Sequence, residues 1–187
     1  MNNINAMASS VRLRTATIDD AALLSTLGAR LFAQTFEAEN TPEDMAAYLA
    51  EAFNVERQRA ELADPQRWTV IAENASGNAI GYAVLIRGEK VEAIVAERPV
   101  ELRRIYVDAA LHGQLAQGER RGVGHLLLDA CVEQARTWTG DVIWLAVWER
   151  NARALRFYEK HGFQRVGKKT FQLGADTQHD FVMARNL

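Results

Sequence analysis

The chain has 187 residues, 48% hydrophobic and 25% charged, with a net charge of -2 at pH 7. That length fits one domain burying roughly 70% of its unfolded surface, and the near-neutral charge argues against general nucleic-acid binding. The single cysteine, Cys131, excludes an internal disulfide and a multi-cysteine zinc site, and no apolar run reaches the roughly 18 residues needed to span a bilayer.

In chain order, Met1 to Ser10 lacks the basic and long apolar regions of a signal peptide and is expected to be a flexible tail. A single domain is expected over 11–187, with a cytoplasmic location and no metal site. Val11 to Thr15 reads as a first strand. The helix that follows runs to about Phe36, with Leu23, Leu27, Leu31 and Phe32 on its apolar side. Thr41-Pro42-Glu43 starts another helix, threonine as cap and proline in the first turn. A short helix covers Val55 to Ala63, ended by Asp64-Pro65. Trp68–Ala72 and Ile80–Ile86 form a hairpin around Gly77, and Arg87 to Pro99 is a charged loop.

Glu101 to Val107 is the next strand. Beyond it, Arg120-Arg121-Gly122-Val123-Gly124-His125 runs into an apolar-periodic segment ending at Trp138. Val123, Leu127, Cys131, Ala135 and Trp138 recur at helical spacing and form its buried stripe. Cys131 therefore reads as core, not as a reactive thiol. A glycine-rich, basic turn at a helix N-terminus suits a phosphate or pyrophosphate: free N–H groups and the dipole point at it, and the arginines add charged donors. The turn is not a P-loop, because Gly124 is followed by His125-Leu126. It is not the dinucleotide fingerprint either, since Leu127 stands where a third small residue belongs.

Val142 to Trp148 is a nearly continuous apolar run, the mark of a strand buried on both faces. Trp144 and Trp148 on it read as packing. Asn151 then caps a helix over Ala152 to Lys160, stopped at Gly162. His161 and His179 read as structural. Phe163–Leu173 and His179–Ala184 close the chain as an antiparallel pair. The whole reads as a mixed α/β sheet with helices on both faces.

The R-R-G-V-G turn, the helix, the strand and N-x-x-A-x-x-F-Y-x-K-x-G-F together resemble the GNAT superfamily of acetyl-CoA-dependent N-acetyltransferases. The resemblance covers Val11 to Leu187. It is most specific from Glu101 onward, where Glu101–Val107, Trp144–Asn151 and Phe171–Met183 resemble the spermidine/spermine-type (PaiA-like) branch. It implies a mostly antiparallel sheet whose central strands, Glu101–Val107 and Ile143–Trp148, splay apart to admit the pantetheine arm of acetyl-CoA. It also implies cofactor contacts from Tyr106, Val107, Arg120, Arg121, Gly122, Val123, Gly124, His125, Asn151 and Tyr158. One departure is Glu119, where the family carries arginine or glutamine. Another is the long approach to the turn, which suggests an insertion over Leu115 to Arg120 and puts Arg120 in doubt.

Acetyl transfer to an amine of pKa about 10 needs deprotonation, an oxyanion donor and a proton for the departing thiolate. Glu101 is the candidate base; strict alternation puts it on one strand face with Arg103, Ile105 and Val107. A water chain is the alternative. The Val107 N–H is the implied oxyanion donor and Tyr158 the implied acid. The branch implies a small primary amine such as a polyamine as acceptor, with Glu37, Glu39, Glu89, Glu92 and Glu97 as candidate carboxylates. Acetylation of a protein or peptide N-terminus, and a non-catalytic CoA sensor, remain open on sequence alone, as does a monomer against a homodimer.

Overall fold

The computed structural model describes residues 11–113 and 122–187. The expected tail over 1–10, Leu115 to Glu119, and the two arginines Arg120 and Arg121 lie outside the described residues.

The elements are β1 Arg12–Thr15, α1 Ala21–Phe36, α2 Pro42–Ala52, α3 Val55–Ala63, β2 Arg67–Glu73, β3 Ala79–Arg87, β4 Pro99–Val107, α4 Val123–Thr137, β5 Val142–Trp148, α5 Ala152–Lys160, β6 Gln164–Leu173 and β7 Asp176–Asn186. Side-chain caps set several starts: Thr41 Oγ1 accepts from the Asp44 N–H, Asn54 Oδ1 from the Arg57 N–H and Asn151 Oδ1 from the Ala154 N–H. The strands form one sheet in the order β1-β2-β3-β4-β5-β7-β6. All neighbours are antiparallel except β4 and β5.

Helices cover both faces. The α4 stripe is buried as expected, Leu127, Cys131 and Ala135 at 0% exposure, against Ala83, Leu85, Leu102 and Leu145 of the sheet. On the other face, Leu24, Leu27 and Leu31 of α1 pack on Ile71, Tyr82, Val84 and Ile86. A neighbouring cluster joins Phe32, Met45, Phe53 and Leu173, tying α1 and α2 to the end of β6. The β6–β7 turn docks on α2, where the Ala175 N–H donates to Asp44 at 2.6 Å. Gly174 is required there: its φ is +58°, and a Cβ would lie 2.1 Å from the Asp44 carboxylate.

Two departures from ideal strands position the site. First, β4 and β5 pair only at Pro99–Val142, Val100–Ile143 and Glu101–Trp144, then diverge. Second, Leu102 pairs with Leu85 and Arg104 with Val84, so Arg103 is an extra, bulged residue. The bulge corrects the expected alternation. Val100, Leu102, Ile105 and Val107 face α4, while Arg104 and Tyr106 turn toward α1 and α2. Glu101 shares that second face and is separated from Ile105 and Val107.

Candidate active site

The divergence of β4 and β5 opens a continuous cleft of about 930 Å3. This lies at the upper end of the ligand-pocket range of about 300–1,000 Å3. One half is built by the N-terminal ends of α4 and α5. The other lies over the sheet, under α1 and α2.

In the first half, Gly122 caps α4, and Val123, Gly124 and His125 form its first turn on the cleft wall. A Cβ on Gly124 would touch only Phe157 and Val107, at 3.8 and 3.9 Å, so the protein's own packing does not demand glycine there. The bare backbone is what the cleft presents, and it fits a bulky anion at a helix N-terminus. His125 packs edge-on to Phe157 and tilted against His161. Asn151, Arg153, Phe157 and Tyr158 of α5 line the same half. Asn151 Oδ1 is spent on the helix cap, leaving its amide N–H groups to donate.

Val107 sits where the strands part. The Asp108 N–H donates to Ile80 across the β3 side at 2.9 Å. By antiparallel alternation, the Val107 N–H and C=O therefore point into the wedge. Its carbonyl meets His112 Nε2 at 2.9 Å. The Arg153 guanidinium donates to His112 Nδ1, so Nε2 carries the proton. Arg153 carried no site signal in the sequence, because its pairing with His112 spans 41 residues.

Tyr158 is 7% exposed on the cleft wall, edge-on to Phe157 and Phe163. Burial pushes its phenol well up, so it stays protonated. Tyr106 is also held protonated by burial, but its ring packs against Phe32 and Tyr82 in the second half.

In that second half, Glu101 is 2% exposed at the mouth of the divergence. Its Oε2 lies 3.2 Å from the Arg103 guanidinium yet has no hydrogen-bond partner. Burial, partly offset by Arg103 and Lys169, raises its carboxyl above the ordinary range. A carboxylate moved toward neutrality by burial is suited to accept a proton. Arg104 pairs with Glu61 at 2.6 Å over the Phe53 ring. Arg57 and Arg67 reach the same Glu61, at 3.4 and 3.6 Å.

The acceptor carboxylates expected from sequence are corrected. Glu37, Glu39, Glu89, Glu92 and Glu97 are exposed, and none lines the cleft. The carboxylates that do are Glu51, Glu61, Glu101 and Asp180. Trp144 is core, as read, but Trp148 lines the cleft against Phe36. Among the described residues no group of acidic, histidine or cysteine side chains could hold a metal.

The chain matches the acetyltransferase (GNAT) family over residues 30–163. It belongs to that family. It is 33% identical to an uncharacterized N-acetyltransferase of Mycobacterium bovis over 168 residues, covering 90% of this chain and 98% of the relative. It is also 33% identical to an N-acetyltransferase encoded beside pepI in Lactobacillus delbrueckii subsp. lactis, covering 83% and 86%. Its fold is similar to that of the PaiA N-acetyltransferase of Thermoplasma acidophilum in complex with coenzyme A: TM-score 0.73, 19% identity, covering 95% of this chain and 99% of that one. The chain is thus an N-acetyltransferase, and its acetyl donor is acetyl-CoA.

Proposed function

We propose that this single domain over residues 11–187 transfers the acetyl group of acetyl-CoA to a primary amine of a small molecule. The observation that carries the reading is the wedge: two unpaired strand edges, the Val107 N–H aimed between them, and a buried carboxylate and a protonated phenol lining the same cleft. Unpaired edges accept an extended, amide-bearing arm as they would another strand. The Gly122–His125 backbone, with Arg153 and the Asn151 amide, is suited to hold the donor's phosphates and arm. Arg120 and Arg121 are expected to add charge to that turn.

Acetyl-CoA supplies the thioester. The acceptor ammonium first loses one proton to Glu101, directly or through water, and on to solvent. The amine N–C bond then forms as the thioester C–S bond breaks; Tyr158 gives a proton to sulfur, and the second proton leaving nitrogen restores the balance. The Val107 N–H stabilises the developing oxyanion without reorganising.

A polyamine acceptor is the finer reading that the PaiA-like resemblance suggests, and the fold similarity to PaiA supports it only at the level of fold. Every proposed group comes from one chain, so a monomer suffices and a homodimer would carry two independent sites. No helix among the described residues is long and apolar enough to cross a membrane; we place the enzyme in the cytoplasm, where acetyl-CoA is made. Incubation with acetyl-CoA and an amine panel, following free thiol, tests the reading. Amine-dependent thiol release is expected. Tight acetyl-CoA binding with no release for small amines or peptides would favour a sensor, and release with peptide amines alone would favour N-terminal acetylation.

A further inference from the structure

Two charges on the acceptor wall are left uncommitted. Asp180 of β7 is 8% exposed, faces the cleft, and has neither a hydrogen bond nor an ion pair among the described residues. Lys169 of β6 stands directly opposite it in the β6–β7 ladder and lines the same cleft. Opposite charges at such positions ordinarily close on each other. Here Lys169 Nζ instead lies 6.0 Å from the Trp144 ring centroid, and no Lys169–Asp180 ion pair forms. The other charges on this wall are engaged. Glu51, Glu61, Arg57, Arg67 and Arg104 form one network, and Glu101 holds Arg103.

Neither charge is sealed from solvent, since Lys169 is half-buried and no Asp180 oxygen is among the fully buried unpaired atoms, so each is free to take a ligand group in place of water. This wall therefore offers a place for one cation and one anion, close together. We propose that the acceptor is a small amino carboxylic acid, captured by its ammonium at Asp180 and its carboxylate at Lys169, the ammonium leaving Asp180 to give up its proton to Glu101 before it attacks. This rests on the acetyltransferase reading above. The small side chain of Ala146, between Trp144 and Trp148 on β5, leaves the cleft open between Asp180 and the wedge. A polycation fits the wall less well. It would find one uncommitted carboxylate among Lys169 and the arginines of the cleft.

Three titratable groups act on Asp180: Lys169 from β6, Glu149 after β5 and His179 on its own strand. Burial and Glu149 outweigh Lys169 and His179 and hold its carboxyl up at about 6. At neutral pH it is ionised and ready for an ammonium. Below about 6 it is not, so the Michaelis constant for the acceptor rises as pH falls through that value.

The test compares amino acids with their own carboxamides, and with spermidine, on the full chain at saturating acetyl-CoA. The acids are expected to exceed their amides in kcat/KM by about tenfold or more. Lys169→Met is expected to lower kcat/KM for the acids by that factor and for the amides much less. Asp180→Asn is expected to raise KM for acids and amides alike, with acetyl-CoA affinity unchanged as the check on folding. Preference for spermidine or the amides, equal losses in Lys169→Met, or an unchanged KM in Asp180→Asn would each overturn the assignment while leaving the acetyltransferase reading intact. Calorimetric titration of the acids into the CoA-loaded protein separates the other failure. Binding without thiol release would keep the seat and contradict acetyl transfer; neither binding nor release would overturn the seat.

Discussion

Glu101 and Trp144 are the last residues that pair between β4 and β5. From that pair onward both strands keep extended backbone but lose each other, and each leaves N–H and C=O groups facing a gap. In a soluble protein such edges are ordinarily covered. Here the gap widens toward Val107 and the first turn of α4, and the family's acetyl donor carries an amide-bearing arm ending in an anion. Edge and helix end together suit one cleft to the two ends of one donor.

The first turn of α4 can be tested by a substitution the fold accepts. A Cβ at Gly124 meets nothing closer than 3.8 Å. Gly124→Ala is expected to leave stability within about 1 kcal/mol of the parent. Acetyl-CoA binding is expected to weaken by about tenfold or more, through loss of close backbone approach to a charged group. Calorimetry and thermal melting read the two effects separately; equal losses in both would show that Gly124 serves packing.

Glu101→Gln should move activity and stability in opposite directions. Burial raises the folded carboxyl above its unfolded value. The folded chain therefore favours the protonated form: its contribution to stability is present below the ordinary carboxylate range and is lost as pH rises through the raised pKa. Gln removes that loss. The variant is expected to melt higher at pH 7, the difference shrinking as pH falls below the carboxylate range. Turnover is expected to drop at neutral pH and to recover in part at high pH, where the amine is already free. A pH-independent defect would assign Glu101 to structure alone.

Tyr158→Phe keeps the ring among Phe157 and Phe163 and removes only the hydroxyl. If Tyr158 is the proton donor, kcat is expected to fall by about 10²–10⁴-fold. Acetyl-CoA affinity should be unchanged. Because burial holds the phenol protonated, the parent's rate should show no loss in the ordinary tyrosine range. Parent-like turnover in the variant would reduce Tyr158 to packing.

Much of the fold was legible in the sequence because its signals are local. The α4 stripe, the doubly buried β5 run and the Asn151 cap each depend on residues within one element. The bulge at Arg103 was not legible. It arises from the match of β4 to β3, and it turns Glu101 away from the face that alternation assigns. The acceptor wall was hidden for the same reason. Asp180 and Lys169 sit in ordinary-looking strands, and only the β5–β7–β6 ladder brings Asp180 beside Trp148 and Lys169 toward Trp144 and Glu101. The acidic loops that looked suited to a cation are exposed, and none of those carboxylates lines the cleft.

Cys131 is fully buried against the sheet, and burial pushes its thiol well up. The folded protein is expected to show no reaction with a thiol reagent until denatured, when one thiol appears. Rapid reaction of the native chain would contradict the packing of α4 on the sheet.

Acetyl-CoA labelled in its acetyl group tests the central claim most directly. With an accepted amine, label should appear on the amine nitrogen in one-to-one ratio with free CoA, and Tyr158→Phe and Glu101→Gln should slow both together. Label recovered as acetate, or retained on donor bound without amine-dependent release, would contradict transfer at the wedge.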